Sequence, residues 1–591
     1  MKETRASSAG IAALSAVLAL GHCLACAAAQ PSVRTWISRG VGGGGGFFTP
    51  AISPHDPDTL FVPSDMGPMF RSTDGGTFWE TLDFRQIQGG TLPCGVQFSA
   101  LPEMLYALDY TAVAFDDAVT PAVSTNGGLA WRPLGTDPTG SDAYSLFADG
   151  HATNRLLVSD YGSVYFSQDG GASFSPGFSA SDCHVAGAFF DGPRIFVGTR
   201  AGLLVSTNGG GSFSLSGIGG IPGTEAMVSF AGAAQADTTR LFCVTLGAGD
   251  VYPGVTGADY GAYRCVYRLD YGISAQWTPA TNGLGPDHPF FIGMSTNNID
   301  IAYLAGALDW PVYPVVFKTS DGGDSWQKNL RAAGNENVHT GWSGDGGDSS
   351  WWYGEYALGL AVCPSDPEHL AIGDLGFVHG TTNGGLSWRQ LYVHPTDQNP
   401  TNVSTPKRAY YHGVGLEDTS CWWLTWTGPS NLFVSFTDIG GIRTTNAGLT
   451  WAFDYTGNGY NTTYQCLLHP TNDHLYAAVS SVHDMYQSTY LQDSRIDSGS
   501  GEVLYSADSG ASWQTLHDFG RPVYALGLDT NEPTHLYACV VHSSDGGIYR
   551  TTNLAQWVAL CTQTVLEAEL ALSDEDAANF AHRFYRAVLD E

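Results

Sequence analysis

An all-β fold, a β-propeller assembled from four-stranded sheets, is what this sequence predicts, and three observations carry the prediction. An octet of the type Ser-Thr-Asp-Gly-Gly-Thr-Phe-Trp returns along the chain at intervals of 39 to 63 residues. The stretch around each copy reads as four short strands separated by turn residues. A hydrophobic fraction of 43% with mean hydropathy near zero suits a globular protein with real cores.

The octets come first in the argument. Good copies begin at Ser72, Ser124, Ser167, Ser206, Thr319, Thr381, Thr444 and Ser506, and two worn ones occupy Arg268 to Trp277 and Thr551 to Trp557. Gly, Asn and Asp tolerate left-handed backbone, and an Asp or Asn side chain accepts hydrogen bonds from nearby amides, so x-[Asp/Asn]-Gly-Gly-x is hairpin-turn chemistry. The Ser or Thr before it and the aromatic after it lie on flanking strands, where the ring pins the turn. This is the Asp-box pattern, and its recurrence means one strand unit copied along the chain.

A full unit is legible from Gly46 to Leu82. A strand ends near Ile52, a second runs from Thr59 to Pro63, a turn at Asp65-Met66-Gly67 leads to a third from Met69 to Thr73, and a fourth follows the octet from Phe78. Four antiparallel strands make a propeller blade, and ten octets imply ten or more blades. A single ring closes with about four to eight. Two tandem propellers are therefore expected, at 30–335 and 336–560, with a seam near residue 335.

The ends differ in character. Residues 1–29 carry Lys2 and Arg5, an apolar run from Ile11 to Leu20 and Ala27-Ala28-Ala29, the layout of a secretory signal. A secreted, extracellular or periplasmic protein is expected, and no later stretch is apolar for long enough to span a bilayer. In the tail, 561–591, Ser573 caps an amphipathic helix with Ala577, Phe580, Phe584 and Val588 on one face.

Composition narrows the partners. A net charge of −32, from 57 acidic against 25 basic residues, argues against nucleic acid or an anionic membrane surface and favours a neutral ligand. Nine cysteines after the signal are scattered without Cys-x-x-Cys spacing, and the histidines lack metal spacing, so no metal or other cofactor is expected.

Chemistry is expected opposite the octets. In a four-strand meander the octets join strands 3 and 4, so the other face is built from 2-3 turns at Asp65, Asp160, Asp374 and Asp438 and from the interblade links. Six of the 16 Trp fall in two such links, Trp342, Trp351 and Trp352 in one and Trp422, Trp423 and Trp426 in the other. Flat aromatics beside carboxylates make a sugar-stacking groove. Filling the contact between two propellers is the alternative, because large aromatics serve both ends.

The text from Gly42 to Ser72, with Gly42 to Gly46 followed by Phe47 and then Asp65-Met66-Gly67 and Arg71, resembles the opening blade of glycoside hydrolase family 74, the two-propeller xyloglucanases. A second stretch, Gly415-Leu416-Glu417-Asp418-Thr419 with Asp438-Ile439-Gly440-Gly441, looks like the paired landmarks of that family's second propeller. The resemblance implies an inverting endo-glucanase that cuts a neutral polysaccharide, a decorated β-1,4-glucan, between two carboxyls in the cleft of the propellers. Inversion needs an acid and a base about 6.5 to 9.5 Å apart. Asp65 matches the family's first catalytic Asp. Gly359 stands where the second is expected, which passes the role to Glu355 or Asp438.

Two other readings remain open at this stage. A non-catalytic glycan- or protein-binding propeller, sortilin-like or a degenerate hydrolase, needs the aromatics but not a carboxyl pair with separated pKa values. A sialidase would need an Arg-Ile-Pro signature, and Gly192-Pro193-Arg194-Ile195-Phe196 has Phe196 where the Pro should be.

Overall fold

The computed structural model describes residues 39–113, 116–247, 262–311, 313–342, 354, 356–486 and 491–561. The signal-like segment 1–29 and the helix expected from Ser573 lie outside the described residues. What is described is a β-propeller protein of ten sheets, eight of them four-stranded, one of three strands and one of five, antiparallel except where strand Val338–His339 runs parallel to Trp388–Gln390.

The octets of the four-stranded sheets join the third and fourth strands, as their turn chemistry requires, and in the three-stranded sheet the octet from Thr444 is closed by a bridge between Arg443 and Ala452. In the first octet, the Ser72 hydroxyl donates to Asp74 Oδ1 (2.9 Å), Gly76 N–H donates back to Ser72 Oγ (2.9 Å) and Phe78 N–H donates to Asp74 Oδ1 (2.9 Å). The same three bonds recur at Thr319 (2.7, 2.9 and 3.0 Å) and Ser506 (2.7, 2.9 and 2.8 Å). Both glycines of the first octet have positive φ, at 68° and 78°, where a Cβ would be strained.

Second strands such as Leu156–Ser159, Ala302–Ala307 and Leu475–Ser480 are buried at every position. They lie sandwiched between neighbouring sheets, so alternation gives way to a continuous apolar run. Fourth strands such as Glu80–Thr81 and Ser214–Leu215 are short and exposed at the rim.

Sheets 1 to 7 (51–81, 97–133, 145–179, 185–215, 225–279, 288–330 and 338–390) pack each on the next through separate apolar clusters. The seventh then meets the first: Ile52 and Leu60 pack with Ala361, Cys363 and Ala371. Indole hydrogen bonds trace the same closure. Trp326 Nε1 of sheet 6 donates to Ala280 O beside sheet 5 (2.9 Å), Trp388 of sheet 7 to Asn329 O of sheet 6 (3.3 Å), and Trp79 of sheet 1 to Leu391 O just after sheet 7 (2.9 Å). Packing is thus continuous across residue 335, where the octet count predicts a seam: Leu330 and Val338 share one cluster with Trp388.

Sheets 8 to 10 (421–444, 462–518 and 523–561) continue the stacking, with sheet 9 against sheet 8 and sheet 10 against sheet 9. The Gly-rich entry strand is the joint between the two groups. It bridges Leu375 through Gly46 and Glu417 through Gly43, and a Cβ on Gly45 would lie 2.8 Å from Asp418 Cγ. Only glycine fits between these chains.

The eight cysteines whose side chains are described are unpaired thiols. No helix among the described residues is long and apolar enough to cross a membrane.

Candidate functional site

Four Asp occupy 2-3 turns, and their surroundings separate them. Asp160 accepts Gly162 N–H (2.7 Å), Ser163 N–H (2.6 Å) and the Tyr165 hydroxyl (3.2 Å), and so caps its own turn. Asp374 is fully buried, holding Phe377 N–H (2.8 Å) and His379 Nε2 (2.7 Å). Both are turn-formers. Asp65 is tied beyond its own turn. The segment is held from the Gly-rich strand: Asp65 N–H donates to Gly46 O (3.1 Å), and Gly46 N–H donates to Asp65 Oδ1 (3.2 Å).

Asp65 is open to water yet has protein on several sides. The surrounding protein raises its pKa from 3.8 to about 6, chiefly by desolvation; the Asp484 charge adds to the rise, and backbone N–H groups at Gly46, Asp65 and Met66 oppose it. A carboxyl so placed stays protonated into the range where a general acid works.

Asp484 belongs to the loop after strand Leu475–Ser480 of sheet 9. The Tyr464 hydroxyl pinches that loop, donating to Val482 O (2.7 Å) and accepting from Met485 N–H (3.2 Å). Val482 and Met485 are buried with Tyr464, so His483 and Asp484 are presented from a fixed base. The loop meets the Asp65 turn directly, the Tyr486 hydroxyl lying 3.4 Å from Met66 Sδ.

His483 links two carboxylates. Its Nδ1 lies 2.7 Å from Asp484 Oδ2 and 3.5 Å from Asp438 Oδ1, and its Nε2 lies 2.9 Å from Arg495 Nη2. The Asp484 hydrogen bond and the neighbouring carboxylate charges push the imidazole above its ordinary pKa, against burial and the Arg495 charge. Asp438 takes a left-handed backbone (φ 64°), and Asn461 pairs with it at its N–H and at Oδ1 (3.3 Å each). Asp438, His483 and Asp484 bring donor atoms within 4.8 Å of one another, the one such grouping among the described residues. With Nδ1 held by Asp484, Nε2 by Arg495, and the guanidinium charge adjacent, the trio is an ion-paired network and not an open cation site.

Beneath the Asp65 turn, the Ser64 hydroxyl donates to Asp418 Oδ1 (2.6 Å). Asp418 is 5% exposed, and its Oδ2 meets no hydrogen-bond partner among the described residues. Burial, then the Asp65 charge, push this carboxyl well above its usual range.

The aromatic expectations need correction. Trp342 is 3% exposed, packed by Phe377, Tyr392, Tyr411 and Phe453, and its Nε1 donates to Gly42 O (2.9 Å). It is core behind the Gly-rich strand and has no face for a sugar. Trp422, Trp423 and Trp426 lie not in a link but in strand Cys421–Trp426, the first of sheet 8. Trp422 is half-buried among Tyr464, Tyr486 and Tyr524, supporting the His483 loop, and its Nε1 donates to Thr437 Oγ1 (2.6 Å), the residue before Asp438. Trp423 and Trp426 are 41% and 53% exposed. Trp351, Trp352 and Glu355 lie outside the described residues.

Gly359 has a steric cause. A Cβ there would sit 2.6 Å from Thr49 Cα, where sheet 1 closes on sheet 7, so no carboxylate fits at that position. Sequence reasoning missed His483, Asp484 and Arg495, none of which stands in a repeated motif, and gave no role to Asp418 within the Gly415 to Thr419 landmark.

No protein-family model matches the chain, and no curated protein matches it. Among solved structures it is similar to a GH74 enzyme from Niastella koreensis (TM-score 0.61, 15% identity, 89% of this chain and 74% of that one). It is likewise similar to the GH74 xyloglucanase from Xanthomonas campestris (TM-score 0.60, 16% identity, 89% and 75%). An ancestral GH74 enzyme matches at TM-score 0.62 and 16% identity (89% and 69%). The chain has a GH74-like propeller fold.

Proposed function

We propose that this chain is an exported glycoside hydrolase that cuts a neutral β-1,4-glucan of the xyloglucan type with inversion. One observation carries the reading: Asp65, a carboxyl held near pKa 6 by its surroundings, lies beside the loop of Asp484, which forms a second carboxylate pair with Asp438 from sheets 8 and 9. A carboxyl that keeps its proton is suited to the acid, which leaves the base to the pair.

Asp65 serves as general acid, protonating the leaving glycosidic oxygen. The Asp438–Asp484 pair accepts the proton of the attacking water from the opposite face of the sugar, and the anomeric centre inverts. Trp423, paired with Ser435 on the strand that leads into the Asp438 turn, offers an exposed ring for sugar stacking, and Trp426, paired with Leu432 at the other end of that strand, offers a second. The likeness to GH74 folds supports the reading, as does the placement of the Asp65 and Asp438 stretches on which the sequence resemblance rests. We place the limit of the first propeller after residue 390, where the seventh sheet returns to the first, with sheets 8 to 10 forming the second body.

Reducing-end release from xyloglucan and mixed-linkage β-glucan, run beside Asp65→Ala, tests this. Release by the unmodified chain and its loss in the variant are expected. No release from either glucan, with the polysaccharide still retarding the protein in an affinity gel, would replace the hydrolase with a binding propeller.

A further inference from the structure

His483 is the one imidazole gripped from both sides at this site, and the groups that grip it dictate where its proton sits. Arg495 comes from the short helix Asp493–Ile496, and a guanidinium can only donate. With Arg495 Nη2 at 2.9 Å, Nε2 must offer its lone pair, so the ring proton resides on Nδ1. Nδ1 then points at the Asp484 carboxylate (2.7 Å) and lies 3.5 Å from Asp438.

We propose that His483 is a positioning residue: held by Arg495 as its Nδ1–H tautomer, it orients the Asp438–Asp484 pair and keeps it in the acceptor state that receives the proton of the attacking water. The role rests on the hydrolase reading, but the tautomer does not. A carboxylate that receives an N–H is held ionised and fixed in place, and a single N–H shared between two carboxylates keeps them near each other.

The charged groups facing the ring are Asp484 on its own loop, Asp438 from sheet 8 and Arg495 from the short helix, with Asp65 acting through Asp484. The two carboxylates favour a second proton on the ring, whereas Arg495 opposes it, because an Nε2–H would meet the guanidinium N–H head on. Protonation of His483 therefore breaks the Arg495 grip and loosens the pair.

The test has two arms. Side-chain ¹⁵N NMR of histidine-labelled full chain, with the His483 signal assigned by its loss in His483→Gln, should show the Nδ1–H tautomer, and Arg495→Met should abolish that preference. An Nε2–H tautomer in the unmodified chain overturns the proposal. In the second arm, His483→Gln should lower kcat about 10- to 100-fold with KM within about twofold. An unchanged kcat, or a loss carried by KM instead, overturns it. Should His483→Gln fail to fold, as read by thermal unfolding, Arg495→Met carries the kinetic arm with the same expectations, and its own kcat decides. If the unmodified chain releases no sugar, the hydrolase reading fails alone, and the tautomer is still decided by the first arm.

Discussion

Replacing Asp65 by Asn should make the protein more stable and less active, with the stability gain confined to one side of the pH scale. The folded carboxyl keeps its proton to about pH 6, whereas in the unfolded chain it ionises near 3.8. Below pH 3.8 both states are protonated, and Asn and Asp are equivalent. Between 3.8 and 6 unfolding releases a proton, so stability drains away as pH rises, and above 6 the native state bears the whole cost of an ionised group at this position. A pKa displaced from 3.8 to about 6 corresponds to ~3 kcal/mol at full burial. Asp65 is open to water, and screening leaves ~1 kcal/mol of that. The expected outcome in scanning calorimetry is an Asp65→Asn variant that matches the parent at pH 3.5 and melts about 1–2 °C higher at pH 8. The amide oxygen still accepts Gly46 N–H, so the turn survives. In parallel, reducing-end release should fall about 10²- to 10⁴-fold, and the parent's alkaline limb should lie near pH 6. A stability difference that is the same at both pH values, or an alkaline limb near 4, would refute the reasoning.

Three further outcomes are expected. Asp484→Asn removes the charge that helps hold the Asp65 proton, so the alkaline limb should move to lower pH, measured by reducing-end release across pH 4 to 8. Trp342→Ala should cost about 3–5 kcal/mol of stability in denaturant titration, whereas Trp423→Ala and Trp426→Ala should leave the midpoint unchanged and weaken retardation in a xyloglucan gel. Asp321 is held at about 2 by the Ser325 and Thr319 hydroxyls. Its contribution is present above pH 4 and lost as pH falls toward 2, so Asp321→Asn should flatten the acid limb of the melting-temperature profile in that window.

The repeated architecture is legible in the sequence because its signals are local. Each octet closes on itself through a Ser or Thr hydroxyl and an Asp or Asn carbonyl within seven residues, and ten such texts correspond to ten sheets. The ring size is not legible, since it depends on where Trp79 finds an acceptor, and that acceptor is Leu391, 312 residues away. Asp65 can be singled out by its neighbours in sequence, but Asp484 cannot: it reaches the site only because the Tyr464 hydroxyl shapes its loop and Tyr486 meets Met66. The tryptophans show the limit of composition. Trp342 and Trp426 both stand in aromatic-rich stretches, and what separates core from surface is whether a neighbouring sheet covers the ring. Cys421–Trp426 reads as a link because its register shifts between Cys421 and Trp423, which breaks the alternation that marks a strand.

The wedged Gly-rich strand also has a temporal meaning. Gly40 N–H binds Glu417 across 377 residues, and Ser64 binds Asp418 across 354. During synthesis the first sheet is made within some eighty residues but has no partner on its open side until residue 391 has emerged, and none on its Gly-rich edge until residue 419 has followed. The turn that carries Asp65 therefore spends most of translation unfinished, and the site comes into existence late, from a first sheet that has waited for nearly the entire chain.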